Sequence, residues 1–251
     1  NVTIDGGTWD LNYQNVEGKE NPGGFVGFRI GHATNITVKN VTFLNNLKSH
    51  FLELAGVKDA VVTGCTFRGY WKDYEGGGQE CIQIDCCTDE SNVFPQYRPY
   101  DGTTCEDFVI DGNVFEDVFT GLGTHSMMSG KTYKRITVTN NTFHNVKKRC
   151  IRFMNYEDST AENNTMVNVG NGVDISSVSS NTHQTPGYDD GPDMLKNRNL
   201  RVAGNYISLA RTTSIGGIAW ICSGIKVSGY NMKKDGAVLP KKIYPVKGVT
   251  V

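Results

Sequence analysis

With 251 residues, 25 basic and 26 acidic side chains and a net charge of −1, the chain has the length of one domain and no charge bias. That balance offers no bulk attraction to nucleic acid or any other polyanion. No apolar run approaches bilayer-spanning length, and the seven cysteines do not fall in a zinc-finger spacing.

Asn1-Val-Thr-Ile-Asp-Gly-Gly-Thr-Trp9 opens a nine-residue pattern that returns along the chain. Its copies are Asn35-Ile-Thr-Val-Lys-Asn-Val-Thr-Phe43, Asp59-Ala-Val-Val-Thr-Gly-Cys-Thr-Phe67, Asp107-Phe-Val-Ile-Asp-Gly-Asn-Val-Phe115 and Arg135-Ile-Thr-Val-Thr-Asn-Asn-Thr-Phe143. Looser copies run from Asp158 to Met166, Leu200 to Ile207 and Ile225 to Met232. Val38 and Val62 are 24 residues apart, Val138 and Ala161 23, and Val202 and Val227 25. Longer intervals of 48 and 41 residues mark insertions at 86–107 and 177–198. A fixed period of this size describes a solenoid.

Each copy alternates apolar and polar residues, the mark of a strand, and then turns at Asn, Gly or Asp. A second strand starts at the Phe. A third follows at Phe51-Leu-Glu-Leu54, Cys81-Ile-Gln-Ile-Asp85, Cys150-Ile-Arg-Phe153 and Gly172-Val-Asp-Ile175. Three short strands per coil predict an all-β, right-handed parallel β-helix of about eight rungs, with two long insertions beside one face. Stacking predicts an interior ladder of Phe43, Phe67, Phe115, Phe143, Met166, Ile207 and Met232. At one turn Asn113, Asn141, Asn164 and Asn205 form an amide ladder, with Val41 and Cys65 in the same column. The Asn-x-Ser/Thr triplets at Asn1, Asn35, Asn40, Asn140 and Asn163 belong to this turn-and-strand pattern. A bond from Cys86 or Cys87 to Cys105 would staple the first insertion.

Residues 1–251 read as a single β-helix domain. The pattern begins inside a rung, so the chain is expected to be a piece of a longer protein, secreted or at the cell surface. Other domains or a capping chain would then cover its N-terminal end.

The coil pattern resembles the pectate-lyase-like superfamily of right-handed β-helices, over nearly the whole chain. Glu80-Cys-Ile-Gln-Ile-Asp85, Gly123-Thr-His-Ser126 and Asn155-Tyr156 look like segments of secreted β-helix glycosidase-like proteins of Gram-positive gut bacteria, lacto-N-biosidases among them. The resemblance implies a carbohydrate-active protein and carries no catalytic residue over to this chain.

The third strand is where chemistry is expected. With Leu52, Ile82, Leu122, Ile151 and Val173 pointing inward, the alternating residues Glu53, Gln83, Gly123, Arg152 and Asp174 form an outer column, preceded by Arg29. Two residues on, Ala55, Asp85, His125, Met154 and Ser176 form a second. Both insertions leave the end of this strand, and loops that wall a sheet face make a cleft. Glycoside hydrolysis needs two carboxyl groups. Asp85 and Glu53 are the candidate pair, and His125 would orient Asp85 or shift its proton affinity. Gln83, Arg152, Asp174, Asn155, Tyr156, Tyr100, Asp101 and Trp71 would bind the carbohydrate substrate, with no cofactor, no nucleic acid and no membrane insertion. Two alternatives stand beside the hydrolase. One is a lyase or epimerase on uronate glycans, with Ca²⁺ held by Asp85 and Glu53. The other is a non-catalytic glycan-binding or adhesion module.

Overall fold

The computed structural model describes residues 1–12, 26–46, 49–70, 80–87, 101–124, 131–179, 197–210, 213–215, 218–231 and 246–251. Among these the chain is all strand and turn, wound as a parallel β-helix. The first strands of successive coils stack as one parallel sheet: Val2–Asp5, Thr34–Lys39, Lys58–Thr63, Glu106–Asp111, Tyr133–Thr139, Thr160–Glu162, Asn197–Ala203 and Lys247–Thr250. The second and third strands merge into another sheet, because Val114–Gly123 and Thr142–Met154 each run through both positions without a break. A hairpin of Thr213–Ile215 with Ile218–Trp220 is the antiparallel pair among the described residues.

The predicted register holds across the first two strands. Val38 lies opposite Val62, which lies opposite Ile110, which lies opposite Val138. The apolar ladder forms down the interior. Phe43 and Phe67 stack with ring centroids 5.1 Å apart, Phe67 and Phe115 4.9 Å, and Phe115 and Phe143 4.6 Å, all nearly parallel. Met166 and Ile207 continue the column in register. Offset stacking adds about 0.5–1.5 kcal/mol per pair beyond the area each ring buries. Met232, expected at its end, lies outside the described residues.

The amide ladder forms as well. Cys65 N–H donates to Asn113 Oδ1 at 2.9 Å, Asn113 N–H to Asn141 Oδ1 at 2.9 Å, Asn141 N–H to Asn164 Oδ1 at 3.0 Å, and Asn164 N–H to Asn205 Oδ1 at 2.9 Å. Each Asn amide also donates to a carbonyl one coil back: Val62, Ile110, Val138 and Ala161. The turn backbone is thereby satisfied inside the cylinder, where water would otherwise be needed.

The outer turns use left-handed backbone, in columns. Asn35, Asp59, Asp107, Arg135, Asp158 and Asn199 all have φ between 48° and 61°. Asn and Asp tolerate this conformation best among residues with a Cβ. Arg135 departs from that preference, and a fork of hydrogen bonds to Asp107 and Glu106 accompanies the departure.

Two expectations are corrected. Ile225 to Met232 was expected to repeat the first strand. Instead Ser223–Asn231 takes the third position, with Ile225 opposite Val173 and Val227 opposite Ile175, and Lys247–Thr250 follows on the first sheet. Alternation alone is the same on any face of the cylinder, so a Val-x-Ile pattern does not say which sheet it joins. The second correction concerns sulfur: all seven cysteines are free thiols. Cys105 donates to the Asp85 carbonyl at 3.3 Å, and burial, then the charge of Asp85, pushes the Cys86 thiol up to about 12. The first insertion is closed by backbone instead, Cys87 N–H to Thr103 O at 3.0 Å and Gly102 N–H to Cys87 O at 2.9 Å.

Candidate functional site

The third-strand face carries the predicted outer column in register. Arg29 lies opposite Glu53, Glu53 opposite Gln83, Gln83 opposite Gly123, Gly123 opposite Arg152, Arg152 opposite Asp174, and Lys226 extends the row. Ala55 and Asp85 are opposite one another in the second column, as are Met154 and Ser176. His125, Tyr100 and Trp71 lie outside the described residues.

Glu53, Gln83, Asp85 and Asp174 are buried, Arg152 is half-buried, and Arg29 and Lys226 at the ends of the row are exposed. Glu53 is 4% exposed, with Oε2 2.5 Å from Arg29 Nε. Asp85 is fully buried, and its carboxylate accepts a hydrogen bond from the Gln83 amide. Asp174 faces Arg149 at 3.5 Å, not Arg152. Arg152 turns instead toward Glu80, at 4.0 Å, and His50 Nδ1 stands 3.8 Å from the same carboxylate. Lys148 rests over the Phe119 ring, 5.4 Å from its centroid. Burial, aided by the charge of Arg149, pulls its ammonium down to about 8.

Sequence reading missed Glu80, His50 and Arg149. Glu80 and Arg149 both lie opposite Thr120, where the second strand bends into the third and the ladder shifts register. Strict alternation does not pass through such a bend. The available signal was a charged residue opening an apolar strand, as Glu80 does before Cys81-Ile82.

Three expected substrate contacts have partners within the chain. Asn155 is a buried turn residue at φ 57°, its N–H bonded to Ser176 O and its carbonyl to Tyr133 N–H. Tyr156 points inward, its ring 4.7 Å from that of Phe153 and its hydroxyl 2.8 Å from Thr124 Oγ1. Asp101 closes a tight turn, accepting from Thr103 N–H at 2.8 Å.

The chemistry open to this face is limited by these pairings. A carboxyl pair that hydrolyses a glycoside must touch substrate and water. Asp85 is fully buried and Glu53 nearly so, and each carboxylate accepts a hydrogen bond from a neighbouring side chain.

No protein-family profile matches the chain. It is 30% identical, over 65% of its length, to plasmin and fibronectin-binding protein A of Streptococcus pneumoniae strain R6, and it spans about a quarter (25%) of that relative. Among solved structures it resembles PfbA, titled a surface adhesin of Streptococcus pneumoniae. One such structure has a TM-score of 0.63 at 22% identity, covering 85% of this chain and 59% of that one. A second has a TM-score of 0.56 at 21% identity, covering 82% and 62%. At these identities the structural likeness speaks for the β-helix fold.

These relatives are named for adhesion and for binding two proteins. That overturns the expectation of a glycoside hydrolase, and of an enzyme generally, and with it the carbohydrate substrate as partner. The secreted or cell-surface placement agrees with relatives titled as surface proteins.

Proposed function

We propose that this chain is a non-catalytic adhesion module, a β-helical segment of a longer surface protein that binds host proteins. The observation that carries the reading is the 30% identity to a protein named for binding plasmin and fibronectin. The geometry supports it from the other side. Charges of the third-strand face pair with one another, as in Arg29–Glu53 and Arg149–Asp174, which suits a structural role for that face. A solenoid of eight rungs also offers long, flat outer faces of the kind that bind extended partners.

Surface plasmon resonance with the purified chain over immobilised fibronectin and plasmin tests the reading. Saturable binding to at least one of them is expected, with none to serum albumin. Flat traces on both surfaces would sink it.

A further inference from the structure

Aspartates at the outer turns follow a rule. Each is capped by a nitrogen from the next coil of its sheet: Asp5 by Asn40 at 2.9 Å, Asp10 by Asn45 at 2.9 Å, Asp111 by Asn140 at 2.7 Å, Asp117 by Asn145 at 2.8 Å, and Asp158 by Asn199 at 2.8 Å. Asp107 receives the whole guanidinium fork of Arg135, Nε at 2.5 Å and one terminal nitrogen at 2.8 Å. Asp59 breaks the rule. Its neighbour on the next coil, in the same left-handed column, is Asp107, which has no proton to donate. The adjacent Lys58 is directed to Glu106, 3.9 Å away. Asp59 is exposed, and among the described residues its carboxylate has no hydrogen-bond or ion-pair partner.

Asp59 also lines a groove. A concavity of about 480 Å³ lies on the outer face of the first sheet, walled by Asn35, Asp59 and Asp107 and floored by Thr37, Val61 and Val109. The floor residues are in register, one per coil, and Val109 is 42% exposed. With Thr3 the groove crosses four coils, about 14 Å at strand spacing, which matches about four residues of extended chain.

We propose that this groove takes an arginine side chain presented by an extended segment of a partner protein, with the guanidinium on Asp59. The inference rests on the protein-binding reading above and names the chemistry of the partner. Arg135 on Asp107 is its internal template: the same column, the same backbone conformation and a carboxylate held by a planar fork. An arriving arginine would repeat that arrangement one coil earlier, laying its methylene stem on Val61 and Val109. A lysine would make a point contact and lose the two-pronged geometry. Asp107 does not compete, since Arg135 already holds both of its oxygens.

The test is a ¹⁵N–¹H titration of the chain with two blocked pentapeptides, Thr-Val-Arg-Val-Thr and Thr-Val-Gln-Val-Thr. Saturable shifts confined to the amides of Thr37, Asp59, Val61 and Val109 are expected with the arginine peptide. Binding should weaken about tenfold with the glutamine peptide or in Asp59→Asn, the order of one lost charge-assisted contact. Asn suits the left-handed turn, so the variant keeps its fold. Absent or unsaturable shifts, equal responses to the two peptides, or an unchanged Asp59→Asn would each overturn the proposal. Groove shifts in a chain that captures neither fibronectin nor plasmin would uphold the arginine site and count against the adhesion reading alone.

Discussion

Asn141 Oδ1 accepts two hydrogen bonds from Asn113, from the backbone N–H at 2.9 Å and from the side-chain amide at 3.0 Å. Its own amide donates to Asn164 and to the Ile110 carbonyl. Asn141→Ala therefore takes partners from buried donors and acceptors on both adjoining coils, and a loss of about 2–4 kcal/mol is expected. Urea denaturation followed by far-ultraviolet circular dichroism measures it. The converse change, Cys65→Asn, would extend the ladder by one member toward Val38 O, which the Cys65 thiol meets at only 3.6 Å. A gain of about 0.5–1 kcal/mol is expected.

Gly123 and Gly112 both have positive φ, but their surroundings differ. A Cβ on Gly123 would stand 2.6 Å from Arg152 Cβ and 2.7 Å from Arg152 O, whereas one on Gly112 meets nothing within 4 Å. Gly112→Ala carries only the left-handed backbone cost, about 1–2 kcal/mol. Gly123→Ala adds overpacking against the next coil, about 1–3 kcal/mol more. Thermal melts of the two variants side by side check the order, and equal melting points would contradict the packing argument.

Glu80 is 1% exposed and stands between His50 and Arg152. Glu80→Gln leaves a nearly buried guanidinium short of its counter-charge, with an expected loss of about 3 kcal/mol. Adding Arg152→Gln should return part of that loss. A double-mutant cycle by chemical denaturation measures the coupling, and additive losses would show that the two charges do not interact.

Lys148 titrates at about 8 in the folded chain, against an ordinary 10.5. Between those values the unfolded chain holds a proton that the folded chain has released. This residue therefore opposes folding most at neutral pH, and its penalty fades as pH climbs from about 8 toward 10.5. Lys148→Met is expected to be more stable than the parent at pH 7, with the difference shrinking at pH 10. Urea midpoints of both proteins at the two pH values test the sign, and the parent-minus-variant difference removes the common effect of the buried thiols.

The coil itself was plain in the sequence, because Phe115 and Asn141 recur in phase with copies of themselves and stacking makes like meet like. The outer column from Glu53 to Asp174 was equally plain, since alternation on a strand leaves one choice of face. Pairing within that column was not. Asp174 takes Arg149 and Arg152 takes Glu80 because the strand bends at Thr120, and nothing in a period of two encodes a bend. Tyr156 was misread for a related reason. The left-handed turn at Asn155 starts a new strand beside Tyr133 and swings the ring into the core.

The Asn column has a bearing on how such a protein grows. Every member bonds to its like on the adjoining coil and to nothing elsewhere on the ladder, so a duplicated coil would splice in and find its contacts ready-made. Length can then drift by whole units during descent while the cross-section stays constant. A slip of two residues at that corner would instead set an amide among phenyl rings, and selection would remove it.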